Sequence, residues 1–533
     1  MPRNKKTIIV FLTIFLLGLF FRIGSLERPL LGDELKWTAR STKFFNAVIT
    51  GNLKDTFSTA HPGVTLMWLS GGSFWLFSEI SGDMEMFKKI AKTEHISPTF
   101  PEEYIHELPG ILKTMRLPLA ILSAFLIAII FLLLKILIGF KLSFLSALLI
   151  AVDPFITANN RIVHLDGLLA LFMALSVICL AVYLKTASKK IIYLTGIFTG
   201  LSLLTKLPSF FLLPFLALIL FAHYSKKGEP LKPCLFLTLK KILAISGIAI
   251  LTFIILWPAM WVQPVKSLYQ GNSIHSIFSN IPYEIKVPHK SNFFLGKQTE
   301  KVGLLFYPVT ILFKTTFFSL IFFILALAFL TIKKHQKQSL LIFLSFILLF
   351  GLVMSLGAKK GDRYILPIYP FIDILAIWAF YKILNAVGRI KKWSFLITLL
   401  IIAILGIHIF TYSPYSISYF NPLVGGGKVA QKAYVIGLGE GLDLAAEYLN
   451  KKSKSENLKV ASWYSCSFKP FFKGKTYTER EAKRQDIDYI VLYINGIQRK
   501  LPAGLYEDYF LKKTPEKVIK IKNLEYAWIY KKE

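Results

Sequence analysis

Two carboxylates stand side by side at the end of Ser25-Leu26-Glu27-Arg28-Pro29-Leu30-Leu31-Gly32-Asp33-Glu34, just after the first apolar segment of the chain. Keeping an acid pair ionised at the mouth of a low-dielectric domain is costly, so Asp33 and Glu34 point to chemistry on a substrate that meets the bilayer surface. A solvated loop with two acids is the plainer account, and spacing alone does not separate the two. Further candidates follow. His61 precedes Pro62 in the same polar stretch, and Arg161, His164 and Asp166 open a later apolar segment. On a helix, Arg161 and His164 share a face and Asp166 lies round the side, so one helix end would offer a cation, an imidazole and an acid to one cavity. The bland equivalent is a polar helix start capped by Asn159 or Asn160. Asp33, Glu34, His61, His164 and Asp166 are all possible ligands of a divalent ion. No close-spaced signature such as H-x-x-x-H or C-x-x-C is present, so no metal is assigned, and no other cofactor is signalled.

The elements that must position these groups are mostly membrane. The chain has 533 residues, 54% of them hydrophobic, with 46 Phe and a mean hydropathy of +0.55, which describes a polytopic α-helical membrane protein rather than a soluble one. A net charge of +32 could suggest nucleic acid, but the Lys and Arg residues sit in short links between apolar runs, as the positive-inside rule expects. Nucleic acid is therefore set aside and membrane lipids are the expected surroundings. Cys179, Cys234 and Cys466 are too scattered for a disulfide framework. Arg3, Lys5 and Lys6 before residues 8–21 have the outline of a signal peptide, but no A-x-A site follows, so an uncleaved first helix with a cytoplasmic N-terminus is expected.

Apolar runs of spanning length follow at 117–138, 142–158, 166–184, 191–205, 208–222, 242–260, 315–332, 339–356, 364–384 and 394–411, which makes about eleven transmembrane helices. Basic links at 141, 185–190, 226–241, 333–337 and 382–392 then all fall on the cytoplasmic side. Residues 1–411 form the transmembrane domain, with exoplasmic loops at 22–116 and 261–314. Residues 303–314 look interfacial because Pro308 and Lys314 would interrupt a span. From 412 to 533 the character changes. A turn-rich stretch from Asn421 to Gly427, a helical pattern over 441–450, and strand-like runs at 487–494 and 526–530 predict a small exoplasmic α/β domain.

Five motifs in order carry a resemblance: Asp33-Glu34; His61-Pro62-Gly63; Arg161-Ile162-Val163-His164-Leu165-Asp166; Thr205-Lys206-Leu207-Pro208; and Asp362-Arg363-Tyr364-Ile365-Leu366-Pro367. Together they resemble the GT-C glycosyltransferases, nearest the protein O-mannosyltransferases with the lipid A aminoarabinose transferases as relatives. Tyr419-Phe420-Asn421-Pro422 and Gly437-Leu438-Gly439-Glu440-Gly441 are similar to the tail of prokaryotic members. Each motif is short, and the order carries the specificity. The resemblance implies transfer of mannose or a related sugar from a polyprenyl-phosphate carrier to a hydroxyl on the exoplasmic side of the cell membrane, usually with inversion.

An acceptor hydroxyl needs a carboxylate to take its proton as the new bond forms. Asp33 matches the family's base position, and Glu34 would orient the acceptor or the base. The leaving lipid phosphate needs cations placed in advance. Lys206 and Arg363 are the best candidates, with Arg161 and Lys360 behind them. Lys359, Lys360 and Arg363 break the positive-inside rule, which a lipid phosphate would explain; neutralisation by Asp362 and headgroups is the alternative. By analogy His164 and Asp166 position the sugar, and His61 lines the acceptor entrance or is simply a loop histidine fixed by Pro62. The acceptor is open among protein, glycan and lipid. A polyprenyl-lipid flippase would instead place its ionisable groups near the bilayer midplane, and a non-catalytic exoplasmic binding protein would leave the acid pair unused.

Overall fold

The computed structural model describes residues 3–93, 100–226, 228, 230–269, 276–288, 291–332, 338–482 and 486–532; the basic link at 333–337 lies outside the described residues. All eleven apolar segments are helical. Among the described residues eight helices are long and apolar enough to cross a membrane, while Phe140–Val152 and Phe317–Leu330 are shorter apolar helices and Lys189–Thr205 has 17 residues. Chemistry local to each segment sets its ends. At 142–158 the expected single span is broken, because Asp153 leaves the helix, caps the amide of Ile156 at 2.8 Å and is followed by Pro154. At 205–212 the chain leaves the helix at Lys206 and passes through a tight turn containing Pro208.

The helices sort by burial. Leu165–Thr186 is 94% buried and forms the centre, whereas Leu231–Leu256 is 11% buried and turns Phe236, Leu239 and Leu243 outward. Apolar residues facing outward in this way suit a helix bathed in lipid. Close packing behind the site depends on small residues. A Cβ on Gly196 would meet Ile248 Cβ at 2.7 Å, and one on Gly200 would meet the Ala249 carbonyl oxygen at 2.7 Å. These glycines, four apart, let Lys189–Thr205 lie directly on Leu231–Leu256.

Residues 22–116 are more helical than a loop. They contain Glu34–Ile49, Val64–Ser81 and Met84–Ala91, and the next long helix already starts at Leu108. The helix at Phe306–Lys314 ends just before Phe317–Ile332 begins. A hairpin, β1 (Asn292–Phe294) with β2 (Lys297–Thr299), precedes it. The C-terminal region carries helix Leu442–Asn450 and five strands: β3 (Lys459–Ser462), β4 (Lys475–Thr478), β5 (Tyr489–Tyr493), β6 (Lys517–Ile521) and β7 (Leu524–Lys531). Their order is β4-β3-β5-β7-β6, parallel among β4, β3 and β5 and antiparallel beyond. The turn ahead of this sheet, held to β5 by the Gly439 amide donating to the Tyr493 hydroxyl at 2.9 Å, docks back on the acid loop: the Gly32 amide donates to the Leu438 carbonyl at 2.8 Å.

Candidate active site

The two acids of the first loop have different surroundings. Glu34 is fully buried. Its Oε1 accepts from Arg116 Nε at 2.9 Å and the Val163 amide at 2.8 Å, and its Oε2 accepts from Arg116 Nη2 and the Leu31 amide. Arg116 also donates to the carbonyls of Leu26 and Pro29 at 2.6 Å each. With both oxygens taken, Glu34 cannot orient an acceptor. Of the two roles expected for it, only holding the loop that presents Asp33 fits.

Asp33 is the open member, its side chain 44% exposed. Arg363 Nη2 donates to its Oδ2 at 2.8 Å, and His164 Nε2 stands 3.9 Å from the same oxygen. Burial works against the ionised form, but Arg363, with His164 and Lys36 near it, outweighs it and holds the Asp33 carboxyl far below the usual range. On its other side, His164 Nδ1 lies 3.0 Å from Asp166 Oδ2, and Asp166 Oδ1 accepts from Lys206 Nζ at 2.7 Å. Burial, with Arg363 beside it, pushes His164 down, so its ring is neutral near pH 7. Lys206 completes the line over the Tyr364 ring, 4.2 Å from its centroid. Four chain segments thus put two acid–cation pairs, joined by one imidazole, at neighbouring helix ends.

Beside Lys206 lies a cavity of about 430 Å3. Phe210, Phe211, Pro214, Ile281 and Val353 make its walls, and His61, Lys206, Glu284, Lys359 and Tyr364 gather at its polar part. Lys359 donates to Glu284 at 2.6 Å, and His61 Nε2 is 3.8 Å from the same carboxylate. Burial, with Lys206 nearby, pushes His61 down to about 3. His61 therefore sits at the cavity with Lys206, not in a solvated loop.

Two expected phosphate ligands are occupied elsewhere. Arg161 donates to the carbonyls of Gly24 and Ser25, tying down the end of the first helix. The shared helix face expected for Arg161 and His164 is absent, because the helix starts only at Leu165, and His164 is its extended N-cap residue. Lys360 donates to the carbonyls of Met354 and Ser355 at 2.9 and 2.6 Å, satisfying orphan acceptors at a helix C-terminus. Burial lowers it to about 8. Sequence reasoning passed over Arg116 and Glu284 and gave Tyr364, though inside one of the five motifs, no role of its own. A lone arginine nine residues into a helix that becomes apolar was the available signal for the first. Among the described residues no three His, Cys, Asp or Glu side chains gather as a metal site.

Residues 111–259 match the family model described as dolichyl-phosphate-mannose-protein mannosyltransferase. No curated protein matches the chain. Among solved structures it is similar to ArnT from Cupriavidus metallidurans in the apo state, at 13% identity over 99% of this chain and 98% of that one, with a TM-score of 0.50. It is also similar to the apo oligosaccharyltransferase of Archaeoglobus fulgidus (14% identity, 93% and 70% covered, TM-score 0.43). The Saccharomyces cerevisiae Pmt1-Pmt2 protein O-mannosyltransferase complex, bound to its sugar donor, covers less (14% identity, 55% and 39%, TM-score 0.36). The chain thus has the fold of the GT-C membrane glycosyltransferases, with a mannosyltransferase-like segment inside it. Within that class it resembles the protein O-mannosyltransferase and aminoarabinose transferase group.

Proposed function

We propose that the chain moves mannose or a related sugar from a polyprenyl-phosphate carrier to an acceptor hydroxyl at the exoplasmic face, with Asp33 as general base. The observation that carries this reading is the apolar cavity with Lys206 at its polar part, one short relay of charges away from Asp33. Isoprenoid units fit the Phe, Pro and Ile walls by apolar burial. Lys206 and Arg363 meet the phosphate, whose charge grows as it leaves. The acceptor O–H gives its proton to Asp33 while the acceptor oxygen bonds to the anomeric carbon. The carbon–phosphate oxygen bond breaks with its electron pair passing to the phosphate. Attack opposite the leaving group inverts the anomeric centre.

His164 and Asp166 hold the cations and the base in register. Glu34, through Arg116 and the Val163 amide, fixes the loop that carries Asp33.

The test is single-turnover sugar transfer from a saturating polyprenyl-phosphate sugar, with donor binding measured on the same preparation. Asp33→Asn keeps the size and one acceptor oxygen but cannot take a proton, so transfer should fall by about a hundredfold or more with donor binding kept. Transfer at the parental rate would remove Asp33 as base.

A further inference from the structure

A second, larger cleft of about 920 Å3 opens between the first loop and the C-terminal sheet. Leu35, two residues past Asp33, lines it together with Phe100, Trp463, Tyr464, Cys466 and Thr476. Trp463 to Cys466 leave the carboxyl end of β3, and Glu479 leaves that of the parallel strand β4. The crevice at the carboxyl ends of parallel strands is where such sheets bind ligands.

Four observations say what the cleft takes. First, Trp463 Nε1 and Thr476 Oγ1 are buried there without a hydrogen-bond partner, and buried donors left empty are costly. Second, the aromatic pair is held in place: the Arg499 guanidinium lies 5.6 Å from the Trp463 ring centroid. Tyr464 is fixed at φ 48°, a conformation a bulky residue adopts only when its surroundings impose it. Third, most rim charges already have a partner, with Arg480 Nε 3.9 Å from Glu479. Lys469 pairs with Glu102, and Glu481 accepts from the amide and hydroxyl of Thr478 at 2.8 Å each. Fourth, the cleft adjoins the loop that carries Asp33: a Cβ on Gly32, its chain neighbour, would stand 3.7 Å from the Tyr464 ring.

We propose that this cleft holds a neutral saccharide portion of the acceptor, stacked on Trp463 and Tyr464 and hydrogen-bonded to Trp463 Nε1 and Thr476 Oγ1; the proposal rests on the glycosyltransferase reading above. Polarised sugar C–H groups suit the negative face of an aromatic ring, and sugar hydroxyls can both accept from an indole N–H and pair with a threonine. With Lys469 on Glu102 and Glu481 held by Thr478, the aromatic pair and its empty polar atoms are what the cleft offers a ligand.

Cys466 is a built-in reporter, because it is half-buried in the cleft while Cys179 and Cys234 are buried. Burial pushes its thiol up, so alkylation by iodoacetamide is followed at pH 8.5 by mass spectrometry on the full chain in lipid nanodiscs. The probes are neutral linear oligosaccharides of hexose and N-acetylhexosamine units, the same head groups carried on a glycolipid, and an unstructured Ser/Thr-rich peptide. An oligosaccharide at about ten times its dissociation constant should slow Cys466 alkylation by about tenfold. Trp463→Ala and the milder Thr476→Val should weaken that protection, whereas Trp463→Phe should keep most of it. Protection by the glycolipid alone assigns the saccharide to a lipid-borne acceptor. Protection by the peptide alone, no protection by any saccharide, or protection unchanged in both Trp463→Ala and Thr476→Val overturns the proposal. Donor turnover in the same discs separates the two readings. Turnover that depends on Asp33 without saccharide protection removes only the cleft, and protection without such turnover removes the enzymatic reading and leaves a saccharide-binding site.

Discussion

On the proposed function Arg363 serves two partners, Asp33 and the donor phosphate. At rest it is bound to Asp33 and holds that carboxyl too acidic to be an effective base. A donor phosphate that draws Arg363 to itself would return basicity to Asp33, so that the base is armed only when a sugar is present. Arg363→Gln should therefore weaken donor binding and slow transfer by about a hundredfold. The acid limb of its pH–rate profile should also move to higher pH, because the Asp33 carboxyl loses the cation that lowered it. An unmoved limb would separate Arg363 from the base. Glu34 should behave differently from its neighbour. Glu34→Gln leaves Arg116 charged and buried, at a cost of about 3–5 kcal/mol, so it should show as a lowered melting temperature rather than as selective loss of transfer. His61 gives a pH test of stability. Its folded-state value of about 3 lies below the unfolded one, so the unfolded chain binds more protons as pH falls below about 6.5, and stability is lost in that direction. His61→Gln should therefore lose less melting temperature than the parent between pH 7 and pH 5.

At the scale of elements, apolar runs were legible because hydropathy is a local property, and all eleven segments appear as helices. The breaks were less so. Hydropathy runs through Asp153, yet its capping of Ile156 and the following Pro154 divide the segment, and the extended chain through His164 undoes a face that helical spacing alone suggested. The partners of Asp33 and Glu34 were hidden for another reason: Arg363 and Arg116 lie 330 and 82 residues away in sequence. Such pairings depend on how helices stack. The stacking of Lys189–Thr205 on Leu231–Leu256 is one case with a functional consequence, because Lys206 follows directly on the first helix. Gly200→Ile should push the two helices apart, costing about 1–3 kcal/mol by overpacking. Because Lys206 would move with the helix end, donor affinity should drop together with the melting temperature. A variant with lowered melting temperature and parental donor affinity would show that Lys206 is positioned by Asp166 alone.

For the whole molecule, helix ends that carry the site and helix ends that carry the basic links separate cleanly. Asp33, His164, Lys206 and Arg363 meet at one end. At the other, Lys185 donates to the Ile136 carbonyl and Lys241 lies over the Tyr183 ring. Basic links inside would put the site and the C-terminal sheet outside, so a tag placed after the last strand should be cut by protease added to intact cells; a protected tag would reverse the orientation. The strands at 487–494 and 526–530 were legible as strands, but not the β4-β3-β5-β7-β6 order, which depends on pairings between distant segments, nor the seat of this sheet on the acid loop. That seat ties the C-terminal region to the chemistry. Gly439, at φ 133°, brings its backbone against the first loop, where a Cβ would meet the Leu30 carbonyl oxygen at 2.6 Å and Ser467 Oγ at 2.7 Å. Gly439→Ala combines that clash with a backbone conformation alanine resists, and relief must come from Leu30 or from Ser467. Movement of Leu30 shifts Asp33, and a misplacement of about 1 Å in a catalytic group can cost about a hundredfold in rate. Transfer by Gly439→Ala should accordingly fall steeply while donor binding, built on Lys206 and the apolar cavity, stays at the parental level. Gly110→Ala, where a Cβ meets nothing within 4 Å, is the matched control. Parental transfer by Gly439→Ala would mean that the sheet gives way instead of the loop, and that the C-terminal region does not set the position of Asp33.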